Sequence, residues 1–418
     1  MNTTHAPLTI PELLAPAGNF DKLKIAIHYG ADAVYLGGPC YSLRAHATFT
    51  EAELQRAIAY AHAHAVKAYV TVNILAHDQD LAGLNEYLLA LQEMGLDGLI
   101  ISDPGILAVA KETIPAIPVH LSTQANVTNS ATGRFWQQQG VRRLNIAREL
   151  TLAEIKTMRK KLDIEIEAFV HGALCISYSG RCLLSYYLTG RDANRGNCAH
   201  PCRYHYTLVE EKRPGQYFPV EEDARGTYIF NSKDLCLLNR LPDLVRAGVD
   251  SLKIEGRMKS PYYVGGVVRV YRAALDYLAQ HVNALAQPTQ QVVIPKEYME
   301  ELMKVGTRGY TENFIDGPPD AKDMLYDAPR IPPGHVPMGI VRQAGEEPLI
   351  EIRNPVRPGE QFEYLGRGLQ TSSYTIGQIL DQKGASLKQA NPGNEVRLKI
   401  SPPLSGWEEN ALLRKQAS

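Results

Sequence analysis

The sequence predicts an α/β protein: a TIM-like (β/α)8 barrel with a cysteine-rich insertion and a small C-terminal β-barrel module. Three observations carry this expectation. Eight short apolar stretches alternate with amphipathic helical patterns from Glu12 onward, the rhythm of parallel strands joined by crossover helices. The spacing is regular until Gly172, after which the next strand-like stretch begins only at Ser251, so an insertion separates the last two strands. Beyond the proline-rich link APRIPPGHVP (328–337) the pattern changes to short alternating strands between Gly and Pro turns.

In chain order the expected strands are Glu12–Ala17, Asp32–Gly38, Lys67–Leu75, Gly98–Pro104, Pro118–Gln124, Arg143–Glu149, Glu165–Gly172 and Ser251–Arg257. Asp21–Tyr29, Glu51–His64, Asp80–Met94 and Leu152–Leu162 read as helices between them. Thr50 and Thr151 precede acidic first turns and are expected N-caps. Within the insertion, Ser232–Asn239 (capped by Ser232) and Asp243–Ala247 are expected to be helical, and Pro261–Gln280 closes the barrel. The domain reading is therefore a barrel over 1–285 with a cysteine-rich loop at 172–236, then a connector over 286–332 with a helix near Lys296–Val305. A small β-barrel follows over 333–405, and 406–418 reads as a loosely ordered tail.

Composition sets limits on function. The chain is 44% apolar and 21% charged, with a formal net charge of −1. It has the make-up of a globular protein with ample core, and no global basic field draws it to nucleic acid, so such binding needs a local patch. Met1–Pro11 lacks the basic and apolar regions of a secretory signal, and no apolar run reaches the ~18 residues of a membrane span. A cytoplasmic location is expected, where thiols stay reduced and clustered cysteines serve metal binding or catalysis.

Four of the six cysteines, Cys175, Cys182, Cys198 and Cys202, form the pattern C-x6-C-x15-C-x3-C. This is neither the paired spacing of zinc ribbons nor the tight run of bacterial ferredoxins. Four thiolates can hold zinc or an iron–sulfur cluster, and the wide, irregular spacing leans toward the cluster. Cys236, flanked by leucines, reads as a core residue that could instead replace Cys202 or Cys198 as fourth ligand. Cys40, after the second strand, is a weaker reserve. The same loop interleaves Arg181, Arg191, Arg195 and Arg203 with Tyr178, Tyr186, Tyr187, Tyr204 and Tyr206. Single-stranded RNA is held by such residues, bases stacking on rings and cations meeting phosphates, although core tyrosines and solvated arginines would give the same pattern. RNA-binding candidates are Arg181, Tyr186, Tyr187, Arg191, Arg195 and Arg203.

Barrel chemistry sits at the C-terminal strand ends. The polar residues there include Asn73, Asp103, Gln124, Arg148, His171, Glu255 and Arg257. Catalytic candidates are Arg44, Asn73, Gln124, His171, Glu255 and Arg257. His171, four residues before Cys175, could also form a thiol–imidazole pair. Neither the H-E-x-x-H of zinc peptidases nor the G-x-S-x-G elbow occurs.

The stretch EAFVHGALCISYSGRCLLS resembles the signature of the collagenase-like peptidase family at Glu167, Phe169, Gly172, Cys175, Gly180, Cys182 and Ser185. HLSTQANVTN, NSKDLC, SLKIEGRMKSPYYV and RGYTENF extend the likeness. The arrangement is similar to the tRNA hydroxylation branch of that family. The resemblance implies O2-independent, prephenate-dependent synthesis of 5-hydroxyuridine at the tRNA wobble position, in the anticodon region. It also implies a 4Fe-4S cluster on Cys175, Cys182, Cys198 and Cys202, with Cys236 in reserve. Prephenate is a dicarboxylate that Arg44, Arg148 or Arg257 could pair with. Other relatives hydroxylate ribosomal RNA or a quinone precursor, and the family name itself implies a peptidase, so these stand as alternatives.

Overall fold

The computed structural model describes residues 8–43, 47–175, 177–203, 222–223, 226–227, 233–319, 323, 334–404 and 406–417. Eight parallel strands follow one another around a barrel: β1 Glu12–Pro16, β2 Ala33–Gly37, β3 Lys67–Val72, β4 Gly98–Ile101, β5 Val119–Leu121, β6 Arg143–Asn145, β7 Glu165–Gly172 and β8 Ser251–Ile254. Pairing of β8 with both β1 and β7 closes the ring. Outside it lie α1 Phe20–His28, α2 Glu51–Ala63, α3 Leu84–Glu93, α4 Pro104–Thr113, α5 Ser130–Gln138 and α6 Leu152–Lys161. Thr50 and Thr151 both form capping boxes, with Glu53 and Glu154; each threonine side chain is worth about 1 kcal/mol of helix stability.

Strand alternation sorts the residues into two environments. Leu13, Val34, Val70, Leu99, Leu144, Ile166 and Leu252 face the helices in the main apolar core. The barrel interior has only a small apolar cluster of Leu14, Ala33, Tyr35, Tyr69 and Ile100. Ion-paired side chains occupy the interior below the mouth. Arg143 donates to Glu12 at 2.6 Å and to Glu165 at 2.8 Å, and Lys253 donates to Glu167 at 2.8 Å. Burial opposes ionisation of Glu12, yet Arg143 and the Tyr69 hydroxyl hold its carboxyl below the usual range.

The insertion after β7 begins at Gly172, whose φ of 117° suits glycine alone. A Cβ there would lie 2.6 Å from the Glu255 carbonyl oxygen. The insertion includes α7 Leu184–Thr189 and 3-10 turns at Ala193–Arg195 and Pro201–Arg203. The expected helix at Ser232–Asn239 is not formed. Asp234–Cys236 is a strand, antiparallel to the end of β7 and parallel to Tyr310–Thr311, followed by a 3-10 turn at Leu238–Arg240. β7 overshoots the barrel, and its last residues need this backbone partner more than Asp-Leu-Cys needs a helix. Ser232 lies outside the described residues. Then come α8 Leu241–Arg246 and α9 Pro261–Gln280.

The C-terminal module is a closed antiparallel ring of six strands. It runs through His335–Gln343, Leu349–Ile352, Gln361–Leu365, Thr371–Leu380, Glu395–Ser401 and Leu412–Gln416. Residues 406–417 are therefore not the loose tail that the sequence predicts over 406–418. Leu412–Gln416 pairs with both His335–Gln343 and Gln361–Leu365, Trp407 is buried, and the ring stays open without this strand. The ring docks on α1 and α9. Tyr29 donates to the Leu365 carbonyl at 2.8 Å and accepts from the Leu412 amide at 2.8 Å. Gly265 on α9 admits Leu412, since a Cβ there would meet its Cδ1 at 2.5 Å.

Candidate active site at the barrel mouth

Because inward positions recur every second residue, the strand ends bring Thr71, Ser122, Asn145, Phe169 and Lys253 to one cavity of about 280 Å³. Asn73, Gln124, Arg148, Glu255, Arg257 and Lys259 line it from the loops that follow, and the cysteine insertion covers it. Four cations, Arg148, Lys253, Arg257 and Lys259, line the cavity, with Glu255 as the one lining carboxylate among the described residues. The excess of positive charge suits an anionic substrate.

Hydrogen bonds hold these groups in place. Asn73 donates to the Gln124 side-chain oxygen at 2.8 Å, which also accepts from Ser122 at 3.0 Å. Arg257 donates to Ser42 and Thr71, each at 3.0 Å. Arg148 donates to the Ala173 carbonyl at 3.1 Å and to the Ser179 hydroxyl at 2.9 Å, so its guanidinium ties the start of the cysteine loop to the strand wall. Asn126 donates to the Ser179 carbonyl at 2.9 Å. From the other side, Arg195 grips Asp80 with two bonds, 2.6 and 2.8 Å, and Asn194 donates to the Cys182 carbonyl at 3.1 Å. The hydrogen bonds from Arg195 bring the Asp80 carboxyl down to about 2.

Cys175, Cys182, Cys198 and Cys202 all line the cavity as free thiols. The His200 amide, in a residue with φ of 59°, points at the Cys198 sulfur at 3.3 Å; an N–H donor of this kind stabilises a thiolate and tunes an iron–sulfur centre. Among the described residues, no three His, Cys, Asp or Glu side chains are gathered closely enough to hold a metal ion. The thiols line one cavity without converging on a point, and they fit a sulfur-ligated group in donor type. Cys236 is elsewhere. It is buried at 3% exposure with its sulfur 3.8 Å from the Tyr271 hydroxyl, and burial raises its thiol to about 11. Cys40 is exposed and does not line the cavity.

His171 is not at the mouth, contrary to expectation. Two β7 residues oppose one step of β8, because Lys253 pairs with Phe169 but Ile254 pairs with His171. That bulge turns His171 to the helix side, where it packs against Tyr263, Tyr271 and Tyr310. Burial pushes its imidazole down to about 4, aided by Lys259 and opposed by Asp234. It forms no thiol–imidazole pair with the exposed Cys175. Asp103 is also no site residue: its side chain caps α4 through the Ile106 amide. Arg44, Tyr204 and Tyr206 lie outside the described residues, as does the side chain of Arg203.

Of the RNA-binding candidates, Tyr186 and Tyr187 stand out of α7 at 56% and 79% exposure, and Arg181 is exposed. Arg191 is exposed and donates to Asn197 at 2.9 Å, whereas Arg195 is taken up by Asp80. Tyr178, Leu183 and Leu188 extend the exposed patch beside the cavity. Sequence reasoning missed Lys253, Asn145 and Ser122. The available signal was polarity at inward positions of strands whose other positions are apolar.

Residues 18–325 match the model of peptidase family U32, and residues 334–414 match that family's C-terminal domain. The chain is 40% identical to tRNA hydroxylation protein P1 of Bacillus subtilis, covering 93% of this chain and 92% of that one. It is 42% identical to tRNA hydroxylation protein P of Escherichia coli, over 73% of this chain and 74% of that one. A third relative, at 33% identity, is the 23S rRNA 5-hydroxycytidine C2501 synthase of Escherichia coli, matched over 85% of this chain and 52% of the relative.

Proposed function

The chain belongs to peptidase family U32, and on that premise we propose that it is an RNA-modifying oxidoreductase that hydroxylates the wobble uridine of tRNA to 5-hydroxyuridine. The observation that carries this reading is that four thiols and four cations line one cavity at a barrel mouth. The names of its relatives, two tRNA hydroxylation proteins and a ribosomal hydroxycytidine synthase, support the same class of reaction. No observation at the site favours a peptidase, since His171 is turned away from the thiols.

Replacing C5–H of uracil by C5–OH is a two-electron oxidation, which calls for a redox group and a cosubstrate beyond side chains. Cys175, Cys182, Cys198 and Cys202 are the residues to hold a 4Fe-4S cluster, which supplies electron-transfer chemistry when bound. The protein's own part is to bind and orient. The exposed Tyr186 and Tyr187 offer stacking faces, and Arg181 and Arg191 meet phosphates. A base removed from its stack then enters the cavity. Lining cations such as Arg257 and Lys259 attract the carboxylates of prephenate, the proposed cosubstrate. The loop ties made by Arg148 and Arg195 keep the thiols over the strand ends. The setting is the cytoplasm, where tRNA is found; among the described residues no helix is long and apolar enough to cross a membrane.

Protein purified without air should contain iron and sulfide in equal amounts, and with prephenate it should convert unmodified tRNA to the 5-hydroxyuridine form. A preparation carrying zinc and no sulfide would defeat the cluster. Conversion that proceeds equally without prephenate would defeat the cosubstrate.

A further inference from the structure

Asn145 ends β6 on the inward face, two positions above Arg143. It lines the cavity and is only 2% exposed, and its side-chain oxygen makes no hydrogen bond. Such groups are nearly always satisfied in folded proteins, because a buried acceptor that has lost water and gained no donor is destabilising. The polar neighbours at the mouth are bonded to one another: Asn73 with Gln124, Gln124 with Ser122, Arg148 with Ser179. Asn145 stands outside that network. A donor that arrives with the ligand would satisfy it.

We infer that the Asn145 side-chain oxygen reads the target base by accepting its imide N3–H, an inference that rests on the uridine-hydroxylating reading above. The chemistry narrows the donor. In a nucleoside the uracil N1 is bonded to ribose, which leaves N3–H as the only N–H on the ring. Its flanking carbonyls, O2 and O4, need donors, and Lys253, whose ammonium donates to Glu167 at 2.8 Å, lines the same cavity. Tyr35, Ile100 and Phe169 contribute apolar surface to the same cavity. An unpartnered acceptor in a cavity that Tyr35, Ile100 and Phe169 also line matches an imide N–H better than it matches a phosphodiester, which carries no donor. With N3 held at Asn145, the C5–C6 edge points away from this residue, toward the rest of the cavity. Asn145 is a substrate-binding residue on this account and takes no part in proton or electron transfer.

The test is binding of an anticodon stem-loop RNA to the full-length protein, followed by fluorescence anisotropy. One loop carries uridine at the wobble position and the other carries 3-methyluridine, which has no N3–H. One hydrogen bond to a buried acceptor corresponds to roughly tenfold in affinity. The wild-type protein should therefore bind the uridine loop about tenfold more tightly than the methylated one. Asn145→Leu, of similar size but without an acceptor, should lose that tenfold on the uridine loop, while Asn145→Asp, which keeps an acceptor, should retain the preference. Because the oxygen is unpartnered in the free protein, the leucine variant should melt no lower than wild type; if it fails to fold, Asn145→Ala takes its place in the comparison. Equal binding of the two loops by wild type, or undiminished binding of the uridine loop by Asn145→Leu, would overturn the inference. If wild type binds neither loop, the tRNA reading itself falls and takes the inference with it, an outcome distinct from binding without discrimination.

Discussion

At the scale of single residues, charges govern both the site and the frame beneath it. Glu301 is the clearest case in the frame. It accepts from Arg269 at 2.6 Å and from Arg414 at 2.6 and 2.9 Å, joining α9, the helix Lys296–Met303 and the last strand. Burial works against its charge, but hydrogen bonds and attraction from Arg414, with Arg269 and Lys304, bring its carboxyl from 4.5 down to about 2. A depressed carboxyl contributes stability that is present above the unfolded value and lost as pH falls toward the folded one. The wild-type protein should therefore lose stability between about pH 4.5 and 2, and Glu301→Gln should remove that part of the loss. At neutral pH the variant should cost on the order of 3 kcal/mol in urea unfolding, because buried Arg269 loses its carboxylate partner and buried Arg414 keeps only Glu363. An unchanged acid limb in Glu301→Gln would refute this. At the mouth, Asn73, Gln124, Glu255 and Arg257 were legible in the sequence because strand-end polars in an eightfold repeat fall at one face. His171 was misread for a reason no pattern of residues announces: a one-residue register shift turned it to the opposite side of β7.

At the scale of elements, the cysteine insertion is positioned by a few side chains from other loops. Arg148 and Asn126 hold Ser179 on one side, and Arg195 holds Asp80 on the other, while its Nη1 also donates to the Leu75 carbonyl at 3.2 Å. Arg195 was expected to meet RNA, and its commitment to Asp80 makes it a positioning residue instead. Arg195→Ala should leave the barrel's melting temperature nearly unchanged, since the pair is partly exposed and such pairs contribute little. It should, however, speed proteolytic nicking within 177–203 several-fold, because local opening costs less once the tie is cut. Nicking at the wild-type rate would show that the tie does not restrain the loop. The barrel elements were readable because long amphipathic helices and β-branched strands agree locally with the fold. Asp234–Cys236 was not readable: its strand state is imposed by the overshoot of β7, a tertiary demand that overrides the local helical pattern.

At the scale of the whole molecule, two closed rings are joined through buried contacts around Tyr29, Gly265 and Arg269. Arg269 donates to the Gly366 carbonyl at 2.7 Å, and Leu412 and Leu365 belong to the same apolar core as the barrel strands. The small ring packs on the outer helices, and the candidate cavity opens at the strand ends. That division was half legible in sequence: the change of period beyond the proline-rich link revealed a second module. The last strand stayed hidden because Arg414, a charge at a buried position, makes LLRKQ read as surface. Hydroxylation of tRNA at the cysteine-lined mouth of the large ring is the proposed activity. It is tested most directly by mass spectrometry of tRNA nucleosides from a bacterium lacking its own wobble-uridine hydroxylation, supplied with this chain or with its Cys175→Ala variant. The wild-type chain should give 5-hydroxyuridine derivatives and Cys175→Ala none, both proteins accumulating in folded form. Hydroxylation that survives Cys175→Ala, or none with the wild-type chain, would contradict the proposal.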